Sequence, residues 1–500
     1  MINNTIIFFR KNWIFISMLA LLLLHLPFLT ADPPDRVSWS RGPWTDEGIY
    51  LSQIRNAINH GTFDINESDC VAKTPLFNLL IYPFFLIFGT KWIVARCFIL
   101  FSSIGTFLFI LYNTRQKISW LFVILLADTQ FYLFHYTHFA QAELLQCDFL
   151  LLSLFFFTQN TLSELSLKKQ VLNVFLSCMF IALAYYTKIS SSYLVIIPPA
   201  CLFMEYILAL IFKKENQKER LYKFLFSILF TVLFISIYLL CWYLPHKDTF
   251  ELLDENYLNS ATGFAFSWKD FWVMLPYNYN ILIHDPQLYF YFWLALLTFV
   301  FLIILSVLKI KKKVRPNYMS PVLFTLIWFL LEVHKFGYHY LPQRYLIFTI
   351  LSLVSLSGMI LRGIISSRYL WFYPLILIFV FIVATNFHFY NNSLQNRHYF
   401  IKEMNEYLGR YDLKNETIIG TWSSSATWDC GARSIPIWKD YYYHEDPVNT
   451  FHPRIIISEA DETDSDSAYS KQNINLKAIS DSSRQFNINL WKPVVYWLKK

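Results

Sequence analysis

The feature that most constrains this chain is a succession of apolar runs, each close to 20 residues, along most of its length. A bilayer's hydrocarbon core is about 30 Å thick, and a helix crosses it in about 20 residues. Such runs fall near 12–31, 92–112, 118–134, 141–158, 171–187, 191–212, 223–244, 288–308, 319–334, 345–361 and 369–387. The expected architecture is a polytopic α-helical membrane protein with about 11 transmembrane helices. Composition agrees: 55% of the residues are hydrophobic and 15% charged, against about 25% charged in soluble domains. The apolar run 75–89 is short and holds Pro75 and Pro83, so it reads as an interfacial segment. The first run follows Arg10 and Lys11 as a signal peptide would, but it is long for one and reads as an anchor.

Orientation follows from lysine and arginine in the short loops. With the N-terminus cytoplasmic, that side collects Arg10, Lys11, Arg115, Lys117, Lys168, Lys169, Lys213, Lys214, Lys218, Arg220, Lys223, Lys309, Lys311, Lys312, Lys313, Arg315, Arg362 and Arg368. The short outer loops hold only Lys188, Lys335 and Arg344, so the net charge of +7 is topogenic and argues against nucleic acid as a partner. The long polar segments 32–91, 245–287 and everything past about 388 then lie outside. A chain that places its non-membrane mass on one side works on that side.

The division expected is a membrane unit over 1–390 and a soluble external unit over 391–500. In the latter, 393–411 has helical apolar spacing, 417–420, 454–458 and 485–490 read as strands, and 458–471 is acidic and serine-rich. A small α/β unit that stabilises the protein or recognises an acceptor is expected. Seven cysteines show no paired metal spacing; Cys97, Cys147, Cys178, Cys201 and Cys241 lie in apolar runs and read as core.

The outer segments carry the chemistry. Arg41-Gly42-Pro43-Trp44-Thr45-Asp46-Glu47-Gly48 precedes an amphipathic run, 51–59, that ends at His60-Gly61. A Thr45 cap would put Asp46 and Glu47 in a first helical turn, where the helix dipole favours ionised acids. Such acids are ordinary helix-start signals, yet just outside a membrane span a carboxylate could also act as a general base, with Arg55 nearby to contact a substrate. Lys73 stands where a cation meets lipid phosphate, although a lysine there can also simply snorkel. Glu143 opens a span, and acids in spans are costly and often functional; Asp128, Asp148, Glu205 and Glu332 share that property. His135 and His138 are weak metal candidates beside Glu143, because no fourth ligand is indicated. Lys188 lies at the next outer turn. The later turn His334-Lys335-Phe336-Gly337-Tyr338-His339-Tyr340-Leu341-Pro342-Gln343-Arg344 combines cations with rings, a pairing suited to a sugar phosphate.

Taken in order, Thr45-Asp46-Glu47-Gly48, Ala72-Lys73-Thr74-Pro75-Leu76, Phe139-Ala140-Gln141-Ala142-Glu143, Leu183-Ala184-Tyr185-Tyr186-Thr187-Lys188 and Tyr338-His339-Tyr340-Leu341-Pro342 resemble motifs of the GT-C superfamily of integral-membrane glycosyltransferases. The nearest flavour is the bacterial branch with lipid A aminoarabinose transferases and protein mannosyltransferases. The resemblance implies Asp46 as catalytic base with Glu47 beside it and Glu143 as a second acid. It implies Lys73 on the donor phosphate; Lys188 and Arg344 are further candidates for that phosphate, and Arg55, Tyr338 and Tyr340 are candidates for contact with sugar or acceptor. Lys73-Thr74-Pro75 replaces the family's Lys-Pro-Pro, Ile189 follows Lys188 where the family has glycine, and Arg344 stands in place of its second proline.

The implied activity is inverting transfer of a sugar from a polyprenyl-phosphate donor to a lipid, protein or glycan hydroxyl at the periplasmic or lumenal face of a membrane, the bacterial inner membrane if the branch holds. No cofactor is required by these residues; a divalent metal becomes relevant if the donor is a diphosphate. Two rivals stand beside it. One is an oligosaccharide transferase or ligase using a lipid diphosphate, with the segment around Asp254, Glu255, Asn256 and Tyr257 contributing. The other is a non-enzymatic lipid-linked-sugar flippase or transporter, which needs polar groups at the midplane.

Overall fold

The computed structural model describes residues 2–114, 117–160, 165–211, 216–259, 267–293, 296, 300, 319–365, 372–443, 445–460 and 469–499. Most of the expected span 288–308, the start of 369–387 and most of the acidic run 458–471 lie outside the described residues, as do Arg115, Lys213, Lys214, Lys309, Lys311, Lys312, Lys313, Arg315 and Arg368. The chain runs through α1 (Ile2–His25), α2 (Gly42–His60), α3 (Asp69–Lys73), α4 (Leu76–Phe88), α5 (Trp92–Asn113), α6 (Lys117–Thr129), α7 (Phe131–Tyr136), α8 (Ala142–Asn160), α9 (Leu167–Thr187), α10 (Ile197–Ile211) and α11 (Gln217–Tyr238). It continues through α12 (Lys247–Asn259), α13 (Trp268–His284), α14 (Met319–Glu332), α15 (Ile347–Ile365), α16 (Phe372–Gln395) and α17 (Phe400–Gly409).

Five helical stretches among the described residues are long and apolar enough to cross a bilayer: Trp92–Asn113, Ala142–Gln159, Leu167–Thr187, Ile189–Ile211 and Gln217–Leu258. The chain is thus an integral membrane protein. Helix α8 sits at the centre of the bundle, packed on α5, α9 and α14, and almost every side chain from Ala142 to Thr158 is buried. In lipid such packing is driven by close van der Waals fit and not by water exclusion. The four further acids expected within spans are each held by a neighbour. Asp148 accepts from Ser102 Oγ at 2.8 Å, Asp128 pairs with His25 at 3.1 Å, Glu332 with Lys335 at 2.7 Å and Glu205 with Arg220 at 4.0 Å. Cys241, expected in the core, is exposed on its helix, and Cys97 is half-buried.

Three local differences from the sequence expectation have clear causes. The stretch Gln217–Leu258 is a continuous helical run of 42 residues. At about 1.5 Å per residue it is longer than the hydrocarbon core requires, and its far end places Asp254 and Tyr257 against Lys73. Helix α2 begins at Gly42, not after Thr45, because Pro43 occupies the first helical positions, where its fixed φ and missing N–H cost nothing. Asp46 and Glu47 therefore fall past the first turn, and Thr45 donates its hydroxyl to Arg41 O at 3.2 Å in place of capping. Gly61 ends α2 at φ +65°, the left-handed conformation that favours glycine.

Beyond α17 come β1 (Thr417–Ile419), α18 (Ser423–Ala426), β2 (Arg433–Ile435), β3 (Ile455–Glu459), β4 (Ser480–Gln485) and β5 (Pro493–Leu498). They form one sheet in the order β2-β1-β3-β5-β4, with β2, β1 and β3 parallel and β5 antiparallel to both neighbours. The strand expected at 485–490 is displaced: β4 ends at Gln485, and Ile488 and Trp491 bridge a turn into β5. Strand β3 is buried on both faces. Ile455 and Ile457 join the main core, whereas Ile456 joins Ile419, Ile435 and Val494 in a second cluster, as the two-residue strand period requires. The main core runs without a break from bundle residues such as Phe139 to Ile401, Met404, Ile418 and Ile455.

Helix α2 is tied to this sheet. Arg55 donates to Ser424 O and Thr427 O, both at 2.7 Å, and lies over Trp428 at 3.9 Å. Asn56 exchanges bonds with Ser434, donating to its carbonyl at 2.7 Å, and also donates to Glu67 at 2.7 Å. A methyl at Gly48 would collide with the backbone of Ser424 and Ser425. Burial pushes the Glu67 carboxyl up to about 8, and Asp64 adds to the effect. The folded protein then holds a proton up to about pH 8 that the unfolded chain releases near 4.5. The folded state binds more protons through this window, so stability falls as pH rises across it. We expect the melting temperature of the wild type in detergent to drop between pH 5 and pH 8.5 and that of Glu67→Gln to drop measurably less. Equal pH dependence in both would refute the assignment.

Candidate functional site

Two consecutive acids on α2 meet different surroundings, because successive helical residues point about 100° apart. The Glu47 carboxylate accepts from Arg96 Nε at 2.8 Å and Arg96 Nη2 at 2.5 Å, from Trp92 Nε1 at 3.1 Å and from the Ala140 N–H at 2.6 Å. Arg96 is itself fully buried and donates to Leu29 O and Ala31 O at 3.1 and 2.8 Å. Every strong acceptor direction of Glu47 is used in tying α2 to α5 and to the start of α8.

Asp46 faces the other way, into an ion pair with Arg344. Lys188 and Glu143 stand within electrostatic reach of it. Burial pushes the Asp46 carboxyl above its usual range, although Arg344 and Lys188 pull against that shift. Tyr50, one helical turn beyond Asp46, accepts from Lys188 Nζ and donates to Glu143 at 3.4 Å, while Lys188 pairs with Glu143 directly. Segments more than a hundred residues apart are thereby joined: α2, the start of α8, the end of α9 and the turn before α15.

Four buried polar atoms around this cluster have no partner among the described residues: Arg344 Nε, Glu143 Oε2, Gln141 Oε1 and Tyr136 Oη. Gln141 donates to Gly42 O at 3.3 Å, and Tyr136 lies in the field of Arg344, Glu143 and Asp46. Buried polar groups are rarely left unsatisfied. Orphans from three segments converge on one acid–cation cluster and supply donors and acceptors that a polar ligand could complete.

The remaining candidates lie around this centre. Lys73 pairs with Asp254 at 2.7 Å and Asp69 at 3.7 Å, and faces the Tyr257 ring at 5.8 Å. Burial works against its charge, but the two aspartates hold its pKa above the ordinary lysine value. Tyr340 stacks edge-on to Trp39 at 5.0 Å and senses both Arg344 and Asp46. Tyr338 is held through its carbonyl by Asn278 at 2.7 Å, with its ring against His334. Arg55 points toward the sheet, as described above. His138 meets His25 at 3.0 Å and His135 meets Ser393 at 3.1 Å, so neither pairs with Glu143. Among the described residues no three His, Cys, Asp or Glu side chains form a metal-holding group. Tyr50, Tyr136, Gln141, Gly42 and Arg96 were not singled out from sequence. Tyr50 alone carried a signal, its four-residue spacing from Asp46 on one helix face.

No family model and no curated protein matches the chain. Solved structures do. ArnT from Cupriavidus metallidurans, crystallised with undecaprenyl phosphate, aligns with a TM-score of 0.59 and 12% identity over 97% of this chain and 98% of its own. The archaeal oligosaccharyltransferase AglB from Archaeoglobus fulgidus, in complex with an inhibitory peptide and a dolichol-phosphate, aligns with a TM-score of 0.52 and 11% identity over 90% of this chain and 70% of its own. Both have the GT-C fold. This chain has the GT-C fold.

Gly42 sets the reach of Arg344, because a methyl there would occupy the guanidinium's place. Gly42→Ala should cost roughly 1–3 kcal/mol through overpacking, read as a lower melting temperature. The same substitution should cost far less in an Arg344→Ala background, since the obstructing group is gone. Additive losses in the double mutant would show that the two residues are not in contact.

Proposed function

We propose that this protein is a glycosyltransferase that moves a sugar from a lipid-phosphate-linked donor to an acceptor hydroxyl at the outer face of the membrane. The observation that carries the reading is the buried Asp46, set against Arg344 and Lys188, among unsatisfied polar atoms in a GT-C fold. The likeness to ArnT bound to undecaprenyl phosphate supports a polyprenyl-phosphate donor.

In this mechanism the acceptor oxygen attacks C1 of the sugar from the face opposite the phosphate. The new O–C1 bond forms as the C1–O bond to phosphate breaks, and the electron pair leaves with the phosphate oxygen. The configuration at C1 inverts. Asp46 takes the acceptor's proton, a contribution of about 10²–10⁴ in rate. Burial, which raises its pKa, also makes it a stronger base. Arg344 and Lys188 stabilise charge growing on the leaving phosphate. A phosphate oxygen beside Arg344 Nε gives the guanidinium a second anionic partner and loosens its hold on Asp46. Glu143 positions Lys188. Glu47 acts as a positioning residue, through the register of α2. Lys73, on the same side as Tyr257, holds the lipid phosphate. Tyr340 flanks the sugar.

The test uses purified protein with polyprenyl-phosphate sugars. Asp46→Asn should lower kcat by about 10²–10⁴ while native mass spectrometry still shows the lipid-phosphate adduct; Lys73→Ala should lose the adduct. The rate should fall as pH drops through a pKa above the ordinary aspartate value. Full transfer by Asp46→Asn would remove the base assignment. An adduct with a diphosphate-linked oligosaccharide but with no monophosphate lipid would indicate an oligosaccharide transferase. Lipid-sugar movement without product would indicate a flippase.

A further inference from the structure

A cavity of about 330 Å³ is lined by Arg36, Trp39, Tyr132, Asp285, Gln287 and Gln343 among others. It is not part of the Asp46 cluster, but Gln343 adjoins Arg344 in the chain. Its volume lies at the lower end of ligand pockets, roughly 300–1,000 Å³, a size for one or two sugar rings.

Each wall is fixed in place. The Trp39 N–H donates to Gln343 Oε1 and its indole N–H to Leu341 O, both at 3.0 Å, and Tyr340 stands edge-on against the ring. The indole nonetheless remains 51% exposed. Opposite it, Asp285 accepts from Tyr132 Oη at 2.5 Å and from the Gln287 N–H at 2.8 Å. These bonds orient the carboxylate and leave each oxygen a further lone pair. Gln287 is 6% exposed, its carbonyl accepts from Gln130 at 3.3 Å, and its side-chain oxygen has no partner among the described residues. A clamped, half-exposed indole and an oriented carboxylate lining one cavity have the chemistry of a carbohydrate site. The ring meets the apolar C–H face of a pyranose, and the oxygens accept from its hydroxyls. A lipid tail would desolvate the Asp285 carboxylate and offer nothing to its remaining lone pairs, so the lining disfavours one.

We infer that this cavity binds a pyranose ring of the acceptor, so that the acceptor is a glycan. The inference rests on the transferase reading and names its acceptor class. The test is saturation-transfer NMR on the full-length protein in nanodiscs. The probes are the methyl glycosides of glucose, galactose, mannose and N-acetylglucosamine. At least one should receive saturation on its ring protons. That signal should fall at least about fivefold in Trp39→Ala and in Asp285→Asn, and persist in Trp39→Phe. The lipid-phosphate adduct in native mass spectrometry should be unchanged in all three variants. No saturation of any glycoside, or saturation that survives Trp39→Ala and Asp285→Asn, overturns the inference. Glycoside binding at Trp39 in a protein that takes up no lipid phosphate would sink the transferase reading and leave the sugar site standing.

Discussion

The Glu47–Arg96 pair is the contact on which the site depends. It brings together the segment after α1 through Leu29 and Ala31, the body of α2, the start of α5 and the turn before α8. A buried ion pair adds little net stability over an apolar pair of the same size, but breaking one costs about 3–5 kcal/mol. What it contributes here is register. With Glu47 saturated on one side, helical geometry turns Asp46 toward Arg344 and Tyr50 toward Glu143 and Lys188. A rotation of α2 that brought Glu47 to the place of Asp46 would set Gly48 against Arg96 and leave the guanidinium without its carboxylate.

The opposite side of α2 belongs to the chain's last hundred residues. Gly48 lets the Ser424–Ser425 backbone come close, Arg55 takes two carbonyls there, and Asn56 reads the backbone of Ser434. A further bond spans the same interface: Arg41 reaches Glu459 at the end of β3 at 2.7 Å. Helix α2 is therefore a shared wall between bundle and sheet, and the continuous core from Phe139 to Ile455 follows from it. The sheet fixes α2 from outside as Arg96 fixes it from within.

Apolar runs show in a sequence because lipid demands them, so the helices of the bundle were legible. So was the placing of Asp46, Glu143, Lys188 and Arg344 on one side of the membrane, from the loop charges and the order of the motifs. Less legible were pairings set by tertiary contact. Arg96 reads as one cation in an apolar helix, and nothing in its neighbourhood announces Glu47, 49 residues away. Arg55 resembles a substrate contact by position, yet its partners are carbonyls, which carry no sequence signature. The start of α2 lies at Gly42, ahead of the one Thr45 suggests, because Pro43 opens a helix as well as a threonine cap does. Strand β4 was misplaced because its residues are exposed and polar, so apolar alternation is absent where the strand lies.

The two neighbouring acids also divide the charge balance of the proposed reaction between them. At the cluster, Asp46 and Glu143 face Arg344 and Lys188, two negative charges against two positive. A sugar phosphodiester brings one further negative charge, and its departure as a phosphomonoester adds another in a site with little water to screen it. The acceptor's proton is the one charge released in the same step. If Asp46 takes it, the carboxylate becomes neutral as the phosphate gains charge, and the sum over the cluster does not change. Glu47 cannot serve this purpose, because neutralising it would strand Arg96 in the bundle. Burial, which raises the pKa of Asp46, works in the same direction: it makes the protonated form, the state at the end of transfer, the easier one to hold.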